Sequence, residues 1–213
     1  MSKPINIDFE SYSLGDINGQ DNWIYGPSHA GSTIDVIAGK SAAWQSTNSG
    51  NTEYIRPYDT GIIPGDVVAP GIWFELSWDF YVPSAITALQ TSTALTDALN
   101  AAPWIVTYVK GFGGADGIKI YHGNGSSYNF GLVTYDAWHT IKVTTDANGV
   151  ISVTLDGVPQ AVSNLLAFPN HTTEKITLFS VDQGYVLADA FRWDNVILYV
   201  RQGNTTYKFF LGQ

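Results

Sequence analysis

Trp138-His139-Thr140-Ile141-Lys142-Val143-Thr144-Thr145 and Val150-Ile151-Ser152-Val153-Thr154-Leu155 flank the loop Asp146-Ala147-Asn148-Gly149. Both flanks alternate apolar and polar residues. Side chains on a strand point to opposite faces in turn, and Asn-Gly supplies the positive backbone torsion that a tight loop needs. The unit therefore reads as an antiparallel β-hairpin, and Leu155-Asp156-Gly157 ends its second strand with a further turn.

The same period of two recurs along the chain. Residues 72–82 form a long strand with Phe74, Leu76, Trp78 and Phe80 on one face. Trp73, Glu75, Ser77, Asp79 and Tyr81 fill the other face, a polar and aromatic mixture suited to solvent or ligand. Residues 5–9, 33–37, 104–109, 118–121, 176–181, 190–200 and 206–211 read as further strands, with the last as a core strand or a docking strand for a second subunit. Only 83–102 departs, being rich in Ala, Thr and Leu. Ala94 to Ala101 fits two helical turns stopped by Pro103, so a short helix or a long surface loop is expected near 84–102. No linker or repeat divides the chain, and 1–213 is expected to be a single domain.

Composition narrows the function. Seven Trp, 12 Tyr and 10 Phe in 213 residues bury far more apolar surface than a disordered chain carries. Apolar stretches such as 71–78 are interrupted by charge well before the roughly 20 residues a bilayer helix needs. The formal charge of -9, with no basic run, argues against nucleic acid and anionic membranes as partners. Without cysteine there is no disulfide, thiol nucleophile or thiolate metal site. Met1-Ser2-Lys3-Pro4 leads straight into the first strand without an apolar signal core. A protein made and assembled inside a cell is the expectation, with removal of a leader as the alternative.

Three segments carry a family likeness. Trp138-His139 with Leu155-Asp156-Gly157 resembles the "W-H" strand and "D-G" strand end of laminin-G-like modules. Asp8-Phe9-Glu10-Ser11-Tyr12, followed by Leu14-Gly15-Asp16-Ile17-Asn18-Gly19-Gln20-Asp21-Asn22-Trp23, resembles the opening of many bacterial and phage jelly-roll domains. Phe191-Arg192-Trp193-Asp194-Asn195-Val196 resembles their closing "D-N-V" strand. Together they are similar to the concanavalin A-like lectin/glucanase superfamily. The resemblance implies an all-β, two-sheet antiparallel jelly-roll β-sandwich whose concave face binds glycans in many members. Fold does not fix function, since the superfamily holds lectins, hydrolases, lyases and structural modules.

Catalytic chemistry finds little support in the residues. Glycoside hydrolysis uses two carboxyl groups about 5–9.5 Å apart. The chain has only Glu10, Glu53, Glu75 and Glu174, and lacks the E-x-D-x-x-E strand motif of the superfamily's hydrolases. Glu75 and Asp79 share a face but stand about 13 Å apart on an extended strand. Among His29, His122, His139 and His171, His139 matches the structural "W-H" pattern and His122 falls in a Gly-rich stretch. No catalytic residue is assigned.

Binding residues are easier to nominate. Flat aromatics stack on pyranose rings while Asp, Asn and backbone groups bond hydroxyls. Trp104 and Tyr108 alternate onto one strand face, and Tyr121 and Asn124 stand close by in sequence; these four are the expected glycan-binding residues. In many jelly-roll relatives an acidic residue from the first strand and an Asp from the last strand share a structural calcium, positions that Glu10 and Asp194 resemble here. The expected function is a non-catalytic structural or adhesion protein of a phage virion, as a capsid decoration or a tail or fibre module. It would contact other virion proteins or surface glycans, as a homotrimer. The alternative is an extracellular carbohydrate-binding module or glycan-active enzyme.

Overall fold

Strand β6 (Ile72–Tyr81) is the spine of the first sheet. Its period-two pattern is realised as read: Leu76, Trp78 and Phe80 are buried, while Glu75, Ser77, Asp79 and Tyr81 alternate with them half-buried on the opposite face. The computed structural model describes residues 5–14, 19–21, 23–25, 32–37, 40–45, 52–57, 72–85, 89–96, 105–110, 117–121, 127–130, 133–146, 148, 150–161, 175–181 and 191–202.

Before β6 come β1 (Ile5–Ile7), β2 (Ile24–Tyr25), β3 (Ser32–Ile37), β4 (Lys40–Gln45) and β5 (Thr52–Pro57). After it come β7 (Leu89–Thr96), β8 (Ile105–Lys110), β9 (Gly117–Tyr121), β10 (Ser127–Phe130) and β11 (Trp138–Thr145). The series ends with β12 (Ile151–Leu155), β13 (Val158–Pro159), β14 (Lys175–Val181) and β15 (Arg192–Gln202). An 8-stranded sheet runs β13-β12-β11-β6-β15-β4-β3, with β1 also paired to β15, and a 7-stranded sheet runs β10-β9-β8-β7-β14-β5-β2. Every pairing is antiparallel. The described residues form no helix. The two-sheet, all-β sandwich read from the sequence is the observed fold.

The core lies between the sheets. Leu76, Trp78, Phe80, Ile141, Val143, Trp193, Val196 and Leu198 come from the first; Val106, Tyr108, Ile118 and Ile120 come from the second. Phe191 stacks on Phe80 with ring centroids 5.7 Å apart and meets Tyr108 at 6.0 Å, so aromatic rings bridge the layers. The indole Nε1 of Trp193 donates to Thr93 Oγ1 of the opposite sheet at 3.2 Å.

That bond corrects one expectation. Residues 89–96 are neither helix nor surface loop but β7, a central strand between β8 and β14. Thr91 and Thr93 face inward at 2% exposure each, beside Tyr108 and Val106. β-branched side chains favour the pleated conformation, and a buried hydroxyl is tolerated where it finds a partner, as Thr93 does in Trp193. The expected strand over 206–211 lies outside the described residues.

The "D-N-V" string has a structural cause. On β15 the register against β6 runs Asp194 opposite Asp79, then Ile197 opposite Ser77, so one extra residue is bulged out. Asn195 takes φ 48° at this point, a left-handed conformation that Asn tolerates better than most residues. Its Nδ2 donates to Asp79 Oδ2 at 2.6 Å, and its backbone N–H donates to Asp194 Oδ1 at 2.7 Å.

Candidate functional site

Three polar constellations stand out, and their hydrogen bonds separate structural work from open chemistry. The first is the "W-H … D-G" pair. Asp156 and Gly157 have φ 52° and 77° and join β12 to β13 through a two-residue turn of the I′ kind, which requires both torsions to be positive. Asp156 Oδ1 accepts from the Thr140 backbone N–H at 2.8 Å, and Oδ2 lies 2.7 Å from His139 Nδ1. His139 Nε2 lies 2.9 Å from the Thr134 carbonyl and 3.1 Å from the Thr134 hydroxyl. The order Thr–His–Asp is that of a nucleophile, its base and an orienting acid. The nearer partner of Nε2 is an acceptor, however, so the ring is placed to donate there rather than to take the hydroxyl proton. The constellation is a latch that ties the loop before β11 to the β12–β13 turn.

The second is the outer face of the first sheet. Asp79 uses both carboxylate oxygens: Oδ1 accepts from Thr140 Oγ1 at 2.5 Å and Oδ2 from Asn195. Glu75 faces Lys142 at 3.8 Å. Arg192, fully buried, sits over the Tyr81 ring at 5.7 Å, and Tyr81 packs on Trp138 at 5.5 Å. The carboxylates of Glu75 and Asp79 are thus engaged in sheet-stabilising contacts, with Ser77 between them on the strand. The opening segment is locked in the same way. Phe9 is buried at φ 54°, the Tyr12 hydroxyl donates to Asp21 Oδ2 at 2.9 Å, and Trp23 Nε1 donates to that hydroxyl at 3.0 Å. Gln20 closes the loop with two bonds to the Ser13 backbone.

The third is the outward side of β9 in the second sheet. Lys119 and Tyr121 alternate with the buried Ile118 and Ile120, so both stand on the side of β9 away from the core, half-exposed. Neither has a hydrogen-bond or ion-pair partner among the described residues. Thr107 lies opposite Lys119 and is 1% exposed, and Ile105 lies opposite Tyr121 with the 5%-exposed Ala94 beyond it, so solvent reaches this face at β9 rather than at β7 and β8. Ser127 and Asn129 of β10 continue these two rows at the sheet edge.

The nominated residues fare unequally. Tyr121 stands half-buried on the side of β9 away from the core. Tyr108 does not face outward: it is 5% exposed and packs on Phe80 and Phe191 inside the sandwich, because its strand turns the even-numbered residues inward. A sugar ring has no access to it. Trp104 and Asn124 lie outside the described residues. Lys119 was missed, although its place two residues before Tyr121 on an alternating strand was a sufficient signal.

For calcium, β1 does pair with β15, Ile7 opposite Val196, as the expectation needs. Glu10 lies past the end of β1 in an exposed turn, whereas Asp194 is 1% exposed. Calcium takes six to eight oxygen ligands, and among the described residues no group of three or more His, Asp or Glu assembles. The described side chains by themselves do not fit that ion.

The sandwich of two antiparallel sheets is similar in fold to several solved structures of the concanavalin A-like kind. A sialidase covers 92% of the chain at TM-score 0.64 and 16% identity, the chain spanning 18% of the sialidase. The T. cruzi calreticulin globular domain covers 88% at TM-score 0.60 and 10% identity, with 87% of that domain spanned. The carbohydrate recognition domain of Emp47p covers 92% at TM-score 0.54 and 13% identity, with 97% of it spanned. At such identities the likeness is one of fold. No family model and no curated protein matches the sequence.

Proposed function

We propose that this chain is a non-catalytic carbohydrate-binding module, using the outer face of the second sheet around Tyr121, together with Trp104 and Asn124 as nominated from the sequence. The observation that carries this reading is the half-buried pair Lys119 and Tyr121, turned away from the core and without a hydrogen-bond or ion-pair partner among the described residues. An aromatic ring beside a hydrogen-bond donor is what a pyranose needs, since one face of the sugar is apolar and its edge is polar. The likeness to a carbohydrate recognition domain of similar length agrees with it. Two observations support the non-catalytic part: the carboxylate of Asp79 and the imidazole of His139 are committed to structural bonds. A glycan array tests the proposal. Wild-type protein is expected to bind a defined subset of glycans, and Tyr121→Ala to lose about tenfold or more in affinity with an unchanged melting temperature. Equal binding by the two proteins would contradict the site.

The finer reading is an adhesion or structural component of a phage virion, as a capsid decoration or tail or fibre module, in contact with other virion proteins and assembled as a homotrimer. Light scattering tests the assembly: a stable trimer supports it, and a clean monomer removes it. A structural calcium joining Glu10 and Asp194 belongs to the same proposal and would draw its remaining ligands from elsewhere in the chain. A melting temperature raised by calcium and lowered again by chelator would support it; identical melts remove it.

A further inference from the structure

We infer that the glycan taken by this face is acidic, with a carboxylate or sulfate on the ring beside Tyr121; the inference rests on the carbohydrate-binding reading above. It starts from an uneven distribution of charge. The chain carries 19 carboxylates and 10 cations. The strands of the first sheet hold Lys40, Lys142, Arg192 and Arg201 against Asp35, Glu75, Asp79 and Asp194, an even balance. The strands of the second sheet hold Arg56, Lys110, Lys119 and Lys175 against Glu53 alone. Register divides these four: Arg56 and Lys110 fall on the core-facing alternation of β5 and β8, while Lys119 and Lys175 fall with Glu53 on the outward one, so the outward rows of the second sheet hold two cations against one carboxylate.

Lys119 is the cation of that sheet whose side-chain exposure the structure describes. It is half-exposed on the outer face and has no carboxylate partner among the described residues. Lys142, in the matching situation on the first sheet, is paired to Glu75 at 3.8 Å. The register aligns Glu53, Phe179, Ser92, Thr107, Lys119 and Asn129 in one row across the second sheet. Glu53 is therefore four strand spacings from Lys119, about 19 Å. That is more than two Debye lengths at physiological salt, where the length is roughly 8 Å, so Glu53 does little to neutralise it across solvent.

Distance then links the charge to the sugar. Lys119 and Tyr121 are two residues apart on one face, about 7 Å along the strand. A pyranose stacked on the phenol ring brings a substituent at its rim within reach of the flexible ammonium. A carboxylate or sulfate there forms a charge-assisted hydrogen bond, stronger than the bond a neutral hydroxyl offers. The acidic remainder of the surface repels such a ligand, so the face also selects where it lands.

The test is titration calorimetry with oligogalacturonate, oligosialate and carrageenan oligosaccharides, each beside its methyl-esterified or desulfated counterpart. The expected result is that at least one acidic form binds about tenfold tighter than its neutral counterpart, with the difference shrinking as salt is raised. Lys119→Gln is expected to erase the difference, Lys119→Arg to keep it, and Lys142→Gln to leave it unchanged. Equal binding of acidic and neutral forms, lost in Tyr121→Ala, would overturn the inference and leave the carbohydrate-binding reading standing. An acidic preference that survives Lys119→Gln would overturn it as well. Failure of every acidic and neutral glycan to bind would overturn both.

Discussion

Trp193→Ala is expected to destabilise the fold by about 3–5 kcal/mol, the range for truncating a large buried aromatic. Trp193 is fully buried, meets Phe191 edge-on with centroids 5.1 Å apart, and bonds Thr93 across the core. Alanine leaves a cavity between the sheets and also strands the Thr93 hydroxyl, which is 2% exposed with the rest of its residue. Domains of this size are stable by roughly 5–15 kcal/mol, so the loss is a large share of the total. Urea denaturation measures it. Trp193→Phe separates the two contributions, since it keeps most of the packing and drops only the hydrogen bond, for a smaller loss of about 1–2 kcal/mol. A loss below about 1 kcal/mol for Trp193→Ala would contradict the placement of Trp193 as the tie between the layers.

The second large effect is expected at Asp156. Asp156→Ala removes the acceptors of the Thr140 N–H and of the His139 ring, and it forces alanine into the left-handed region at φ 52°. Each loss is of order 1 kcal/mol or more, and together they amount to about 3 kcal/mol. Asp156→Asn is the informative companion. Asn-Gly suits a type I′ turn at least as well as Asp-Gly, so that variant keeps the turn and weakens only the bond to His139. Its loss is expected to be less than half that of Asp156→Ala in the same urea measurement. Equal losses would show that the charge-bearing bond, rather than the turn, dominates the latch.

Much of the architecture was legible because hydrophobic alternation reports directly on burial. Residues 72–82 and 150–155 have one clean apolar face each, 138–145 sets Ile141 and Val143 between polar neighbours, and all three form strands at nearly the expected bounds. β7 was illegible for a physical reason. Its inward positions 91 and 93 are threonines, and the Thr93 hydroxyl finds its partner a hundred residues away in Trp193. No local pattern encodes that partner, and the Ala- and Leu-containing end of the segment satisfies helix propensity equally well. Tertiary context overrode local preference.

The candidate site was half-legible. On β8 both faces are apolar or β-branched, with Ile105, Thr107 and Val109 on one side and Val106 and Tyr108 on the other. Alternation alone cannot say which side faces the core, and Tyr108 proved to be inside. On β9, by contrast, Ile118 and Ile120 flank Lys119, which fixes the outward side without the structure. The family-like strings show the same division. "W-H", "D-G" and "D-N" could be seen in the sequence. Their work, as a latch, a type I′ turn and a bulge, required the register and the torsions.

The measurement that bears most directly on the central claim is a backbone amide titration by NMR with a glycan that binds on the array. The largest shifts are expected on β8, β9 and β10, at Thr107, Lys119, Tyr121 and Asn129, with the glycan recovered intact. Shifts centred on Asp79 and Thr140 of the first sheet, or cleavage of the glycan during the titration, would contradict it.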